Sequence, residues 1–327
     1  MKLSSVKLDF IGVGLLILGL LAADMVLGSQ FHRALTLQVI IFAIAAVGLT
    51  LLVGFTGQIS IGQNAFVAIG AYALANAVQK FGLDPLLGLV LGTLLSAIAG
   101  YLVARPILRL HGHYLGLATL AIGAAAQILA SQWRPLTGGL DPGIVDLPRI
   151  MMGDRDVLFA LVAACLVLVM VVTLVLIHSP VGRALQTIRT SETLAAGNGI
   201  RVAGTKAAVF AFSAGTAGLA GGLYALFMRS FNAGSFGVMM SIELLMMVMI
   251  GSLSTVWGAL FGAALVVLLP QVLEHAETAK MFIYGTILTL VVMFMPSGLA
   301  SSGFALVRRL IGNRGGAARP NPQESHE

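Results

Sequence analysis

The chain has 327 residues, of which 58% are hydrophobic and 10% are charged, and its mean hydropathy is +0.98. These values exclude an ordinary soluble domain and indicate a polytopic membrane protein. The net charge of +6 does not call for a nucleic-acid partner, because basic residues in such a chain mostly record its orientation in the bilayer. The single cysteine, Cys165, excludes an intramolecular disulfide.

Apolar segments of bilayer length recur along the chain and predict an all-α fold. We expect about eight to ten transmembrane helices, some of them interrupted. The third and eighth segments contain glycine and polar residues, so we expect them to be broken helices surrounded by protein or a cavity. The predicted segments are residues 10–27, 34–53, 60–78, 86–104, 114–131, 157–177, 207–228, 239–252, 256–272 and 281–296.

The basic residues predict how the chain is oriented. With both termini in the cytoplasm, 12 of the 19 lysines and arginines fall on the cytoplasmic side, as the positive-inside rule expects. The transmembrane domain is predicted over residues 1–311, with the first segment retained rather than cleaved. The tail at 312–327 is rich in Gly, Pro and charge, so it is expected to be disordered and cytoplasmic.

A glycine-rich segment, residues 54–64, joins the second and third predicted helices. Its glycines and polar side chains at membrane depth favour a substrate pathway, because a broken helix exposes backbone dipoles to a solute. The alternative is close helix packing, which small residues serve equally well. The candidate pathway residues are Thr56, Gly57, Gln58, Ser60, Gly62, Gln63 and Asn64.

Small residues spaced four apart predict three further close helix contacts. They occur at Gly88 and Gly92, at Ala214, Gly218 and Gly222, and at Gly258 and Gly262.

The chain carries few groups that could perform chemistry within its spans. Glu243 is interpreted as a first-turn carboxylate of a helix capped by Ser241. His111 and His113 are interpreted as interfacial rather than metal-binding, since a third ligand is not evident. The sequence has no phosphate-binding loop of the Gly-Lys-Ser/Thr type and no hydrolase motif. We therefore expect a non-catalytic subunit that holds no metal or cofactor and receives its energy from a partner.

A polar island, residues 179–206, is the candidate site for that partner. Ser179 and Pro180 are typical of a helix start, and Val181, Leu185 and Ile188 follow at helical spacing. A second short helix is predicted from Ser191, ending at Gly197 or Gly199. Two such helices suit insertion into a groove on another protein. The residues alone leave a solvated or membrane-surface loop as an equal alternative.

Four stretches resemble the branched-chain amino acid ABC transporter permeases. They are GLTLLVGFTGQISIGQNAFVAIGAYALA (48–75), RLHGHYLGLATLA (109–121), SPVGRALQTIRTSETLAAGNGIRVAGTKAAVFAFSAGTAGLAGGLYA (179–225) and SIELLMMVMIGSLSTVWGALFGA (241–263). The likeness covers roughly residues 35–300 in order. It implies an ABC importer permease fold of about eight to ten helices in the bacterial inner membrane.

The resemblance also implies partners and a solute. The partners are a second homologous permease subunit, two cytoplasmic ATPase subunits that hold ATP and Mg²⁺, and a periplasmic binding protein. The solute implied is a branched-chain or related amino acid, with urea and short amides as alternatives. A stand-alone carrier or channel is the competing hypothesis of a different class.

Within the polar island the resemblance implies a coupling loop that contacts the ATPase. We therefore expect charge reversal at Arg183 or Glu192 to uncouple transport, and cysteines at 188 or 192 to cross-link to the ATPase. Gln63 and Gln127 depart from the family pattern, which often has His and Glu there. The implied coupling residues are Gly182, Arg183, Ala184, Leu185, Ile188, Arg189, Glu192, Ala195, Ala196, Gly199 and Ile200.

Overall fold

The computed structural model describes residues 9, 11–20, 22, 29–110, 112–147, 155–273, 285, 286 and 289. The tenth predicted segment and the tail lie outside these residues, apart from three isolated positions in that segment. Within these residues the secondary structure is helical, with one isolated β-bridge. The α-helices are α1 (Ile11–Leu20), α2 (Gln30–Thr50), α3 (Gln63–Gln79), α4 (Pro85–Ile107), α5 (His113–Gln132), α6 (Arg134–Thr137), α7 (Arg155–His178), α8 (Pro180–Thr190), α9 (Glu192–Gly197), α10 (Val202–Met228), α11 (Val238–Gly251) and α12 (Val256–Val272).

Five helical spans in the described part of the chain are long and apolar enough to cross a membrane. They are α2 with the π-helix that continues it, α4, α5, α7 and α10, and three shorter apolar helices accompany them. The all-α polytopic prediction is confirmed. The α2 and α10 spans lie in the core, with 89% and 78% of their most apolar stretches buried, whereas only 28% of those of α4 and α5 are buried. An exposed apolar face is expected where a helix meets lipid or another subunit.

Small residues bring α3, α4 and α10 into close contact. A Cβ built on Gly92 would lie 2.7 Å from the Gly70 carbonyl oxygen, and one on Gly218 would lie 2.2 Å from the Ser96 hydroxyl. Larger side chains at these two positions would force the helices apart. The predicted small-residue contacts at Gly92 and Gly218 are confirmed.

The breaks in the helices lie at the starts of the third and eighth predicted segments, not in their interiors. The helix expected at residue 60 begins at Gln63, after a non-helical stretch at 57–62, and α11 is continuous. The reason at the first break is conformational: Gly57 has a φ of +72°, which ends the preceding helix. The prediction of interrupted helices is confirmed, and their position is corrected.

Helices α11 and α12 form an antiparallel hairpin. A Cβ on Gly262 would lie 1.8 Å from the Met247 carbonyl oxygen, and one on Gly251 would lie 1.9 Å from that of Gly258. The ninth predicted segment coincides with α12. With 14 and 17 residues, the two helices are only about 21 and 26 Å long.

The end of the bundle opposite the polar island is closed by the connection between α5 and α7. Arg229, which ends α10 with a φ of +61°, donates to Asp146 at 2.6 Å and to the Leu147 carbonyl at 3.0 Å. Ile144 and Phe231 form an isolated β-bridge. From there residues 230–237 descend into the bundle, where the side chain of Phe236 is 1% exposed.

Candidate functional site

The stretch at 57–62 alternates in burial like a strand. Gln58 and Ser60 are 3% and 1% exposed, whereas Ile59 is 39% exposed. A Cβ on Gly116 of α5 would lie 3.7 Å from the side chain of Ile59, so this face of the stretch runs along α5. The polar face of the stretch is therefore turned into the protein.

Asn64 ties four elements together at the start of α3. Its backbone N–H donates to the Ser241 hydroxyl at 2.8 Å, and that hydroxyl donates to the Asn64 side-chain oxygen at 2.7 Å. Its Nδ2 donates to the carbonyls of Gly123 (3.1 Å) and Phe236 (3.0 Å). Asn64 is fully buried, and its hydrogen bonds hold together α3, α5, α11 and the turn before α11. We call this residue the polar fastener.

Ser241 therefore has a different role from the predicted helix cap. Helix α11 begins three residues earlier, after Gly237, and Ser241 lies inside it. Its hydroxyl is used by Asn64 instead. The cap interpretation is wrong because the chain reaches Ser241 already in helical conformation.

Several polar atoms beside this fastener have no protein partner. Gln63 donates from Nε2 to the Ser213 hydroxyl at 2.9 Å, but its Oε1 is buried and unpaired. Both amide atoms of Gln58 and the hydroxyl of Ser60 are likewise buried and unpaired. Buried amides and hydroxyls are normally hydrogen-bonded, so these groups are available to water or a solute.

Some residues of the glycine-rich segment serve close helix packing, and others fit a substrate pathway. A Cβ on Gly54 or Gly62 would lie 2.1 Å from the carbonyl oxygen of Leu253 or Thr119, respectively, so both glycines are required for packing. Thr56 bonds its own helix through the Leu52 carbonyl. Close packing thus accounts for part of the segment. Gln58 and Ser60 retain the unpaired polar groups expected of a substrate pathway.

Both helices of the polar island begin at the capping residues that its sequence predicts. The Ser179 hydroxyl accepts from the Val181 N–H at 3.1 Å, with Pro180 in the first turn of α8. The Ser191 hydroxyl accepts from the Leu194 N–H at 3.3 Å and starts α9. The two predicted short helices are confirmed.

The second island helix ends at Gly197, one of the two predicted positions, and Gly199 follows its C-cap residue Asn198. Gly199 has a φ of +76°, its N–H bonds the Ala196 carbonyl, and the Ile200 N–H bonds the Ala195 carbonyl. This pair of bonds is a Schellman motif. At the start of the island, a Cβ on Gly182 would lie 1.9 Å from the Ile177 carbonyl, so only glycine lets α8 fold back on α7.

The candidate coupling residues fall into two groups. Gly182, Leu185, Ile188 and Ala195 are buried in their own chain and shape the island. Because Ile188 is only 2% exposed, a cysteine there would not reach a partner, which corrects the cross-linking expectation at that position. The exposed coupling residues are Arg183, Arg189, Ala196 and Gly199, and the partly exposed ones are Ala184, Glu192 and Ile200.

Two contacts bind the island to the rest of the bundle. Glu192 of α9 forms an ion pair with Lys206 of α10, whose side chain is 8% exposed. Arg189 of α8 donates to the carbonyl of Gly54. The partners are separated by 14 residues in the first case and 135 in the second, so no local pattern in the sequence indicated the second contact.

Gln127, one of the two departures from the family pattern, also lies at a break. Its Nε2 is 3.4 Å from a Cβ built on Gly237, at the start of α11. Both departures, Gln63 and Gln127, thus neighbour the breaks in the helices. Within the described part of the chain, no group of three His, Cys, Asp or Glu side chains is placed to hold a metal ion.

A helical membrane bundle with two breaks meeting at a buried polar cluster defines an all-α polytopic permease. The chain belongs to the family described as the branched-chain amino acid transport system permease component, which matches residues 33–295. The predicted family is confirmed.

Individual relatives agree with this membership. The high-affinity branched-chain amino acid transport system permease protein LivM of Salmonella typhimurium is 28% identical over 324 residues, covering 90% of this chain and 76% of the relative. LivM of Escherichia coli K12 matches over the same shares at 28% identity. The probable branched-chain amino acid transport permease protein LivH of Methanocaldococcus jannaschii is 26% identical over 83% of this chain and 92% of its own length. No solved structure matches significantly.

Proposed function

We propose that the chain is the permease subunit of an ATP-driven importer for branched-chain or related amino acids in a bacterial inner membrane. Family membership and the function of the relatives support this solute class. The proposed partners are a second homologous permease, two cytoplasmic ATPases that bind ATP and Mg²⁺, and a periplasmic binding protein. Both termini and the polar island then lie in the cytoplasm.

The observation that carries the coupling proposal is the exposed face of the island. Leu194 of α9 and Val181 of α8 are 62% and 43% exposed, and Arg183 of α8 is exposed as well. Large apolar side chains on short, polar-flanked helices are the pattern of a segment that inserts into a partner's groove. The buried residues Leu185 and Ile188 hold that face in place.

Cysteine cross-linking tests the docking proposal. Cys165 is the only native cysteine, so a Cys165→Ala background allows single cysteines to be placed at Leu194 or Ile188. In the assembled transporter, we expect the exposed position 194 to trap the ATPase and the buried position 188 not to. Failure of 194 to cross-link in a transporter that still imports solute would remove the docking assignment.

We expect Gln58→Leu to lower uptake strongly while the subunit still assembles. Both amide atoms of Gln58 are buried without a protein partner, so leucine removes a site for polar solute or water without breaking a hydrogen bond of the fold. The measurement is leucine uptake into proteoliposomes, compared with co-purification of the partner subunits. Gln132→Leu, on an exposed residue at the end of α5, is the matched control. Native uptake kinetics in Gln58→Leu would reduce the stretch to a packing element.

The solute and the class of transporter are tested separately. Ligand affinity of the cognate binding protein discriminates branched-chain amino acids from urea and short amides. Leucine uptake by the purified chain alone, without ATPases, would instead support a stand-alone carrier.

A further inference from the structure

The end of α2 leaves a backbone carbonyl for a partner outside the helix. Helix α2 continues as a π-helix over Leu51–Phe55. The amides that follow it turn back to earlier carbonyls: Gly57 bonds Val53 at 3.1 Å and Gln58 bonds Leu52 at 3.4 Å. The Gly54 carbonyl receives the guanidinium of Arg189 instead.

This contact places an arginine at the negative end of a helix. The last carbonyls of a helix carry partial negative charge, and a cation that hydrogen-bonds them is stabilising. Arg189 comes from α8 of the polar island, so the cap links two elements that are far apart in the chain. Charge-assisted hydrogen bonds of this kind are among the stronger ones.

Three elements of the bundle meet at this cap. A Cβ on Gly57, the first residue of the stretch at 57–62, would lie 3.5 Å from the Arg189 side chain. A Cβ on Gly54 would lie 2.1 Å from the carbonyl of Leu253, in the turn between α11 and α12. Arg189 therefore contacts the junction of α2 and the glycine-rich segment, and that junction packs against the α11–α12 hairpin.

We propose that Arg189 is a positioning residue that transmits movement of α8 to the π-helix and to the stretch at 57–62. The proposal rests on the proposed function, in which the ATPase moves the polar island. In this proposal α8 shifts as a rigid helix whose side chains Leu185 and Ile188 are buried against the rest of the chain. A π-helix is a local departure from α geometry that is frequent at functional sites. The end of α2 is therefore where the helix changes conformation in this proposal.

The second contact of the island attaches its other helix, α9, to α10. Glu192 holds α9 to Lys206 near the start of α10. With α9 held to α10, a displacement of α8 changes the position of Arg189 relative to the core. The strain is then delivered to Gly54 and to the neighbouring Gln58 and Ser60.

The test uses the complete transporter in proteoliposomes with Arg189→Ala, Arg189→Lys and the control Arg109→Ala. Arg109 is an exposed arginine in the connection between α4 and α5, outside the island. The readouts are co-purification of the ATPases, leucine imported per ATP hydrolysed, and the ATP-dependent change in thiol reactivity of Ile59→Cys in the Cys165→Ala background. Ile59 reports on the stretch itself because it is exposed.

We expect Arg189→Ala to keep the ATPases bound and to lower leucine imported per ATP by about 5-fold or more. The ATP-dependent change at position 59 is expected to disappear in Arg189→Ala, persist in Arg109→Ala and be partly retained in Arg189→Lys. Where the alanine variant fails to accumulate, Arg189→Lys and Arg189→Gln decide by the same readouts.

Other outcomes have distinct meanings. Native coupling, or a native ATP-dependent change at position 59, in Arg189→Ala would overturn the inference. Loss of ATPase binding in Arg189→Ala, with binding retained in the native chain and in Arg109→Ala, would also overturn the inference. Arg189 would then belong to the docking surface. Absence of ATPase binding by the native chain would instead contradict the proposed function.

Discussion

Glu192→Lys is expected to abolish ATP-driven uptake, and adding Lys206→Glu is expected to restore most of it. In the native chain the carboxylate of Glu192 faces an ammonium group that is almost fully buried. The single substitution places two positive charges together at that point. Unsatisfied buried partners cost roughly 1–3 kcal/mol, and charged ones cost more. The reversed pair recovers the attraction within the chain.

The pair of variants separates two roles for Glu192. Expression, co-purification of the ATPases and leucine uptake are measured for the single and the double variant. Rescue by the double variant places the function of Glu192 in the ion pair with Lys206. Persistent loss of ATPase binding despite native expression would show that Glu192 faces the ATPase, as the family resemblance alone implied. Arg183→Glu is the companion variant that reverses an exposed charge on α8.

Asn64→Leu is expected to destabilise the permease by about 2 kcal/mol, since it removes three buried side-chain hydrogen bonds that average about 0.6 kcal/mol each in membrane proteins. The Asn64 N–H remains in leucine, but the Ser241 hydroxyl loses its acceptor and two carbonyls lose their donor. The measurement is the thermal midpoint of the detergent-solubilised subunit.

Asn76→Leu supplies the comparison on the same helix. Asn76 donates to the Leu136 carbonyl near the surface of the bundle, and it is only partly buried. We expect a smaller loss of stability there. Equal thermal midpoints for the two variants would show that Asn64 does not fasten the breaks together.

Sequence patterns predicted the elements of this fold better than their meeting points. The capping signals at Ser179 and Ser191 indicated α8 and α9 correctly, because a cap is a local interaction. The apolar run of α12 was predicted to the residue. Hydrophobic runs and caps are encoded within a few residues, so they can be recognised in the sequence alone.

The candidate site was harder to predict because its contacts are between distant residues. The polarity of Gln58 and Asn64 was evident, yet only the structure separates the unpaired amide of Gln58 from the fully bonded one of Asn64. Burial of Ile188 was also hidden, since an apolar residue on an amphipathic helix can face either a partner or its own chain. The side chain of Arg189 was predicted to serve docking, and its contact with Gly54 had no local signal.

The long-range bonds of Asn64 also set an order of events during synthesis. Its partners Gly123, Phe236 and Ser241 follow it by 59, 172 and 177 residues. Chains are made from the N-terminus, so α3 enters the bilayer while its amide has none of these partners. An unsatisfied polar group is costly in lipid, and water or the insertion machinery must accommodate it until α11 emerges. Completion of the glycine-rich segment is therefore a late step in the biogenesis of this protein.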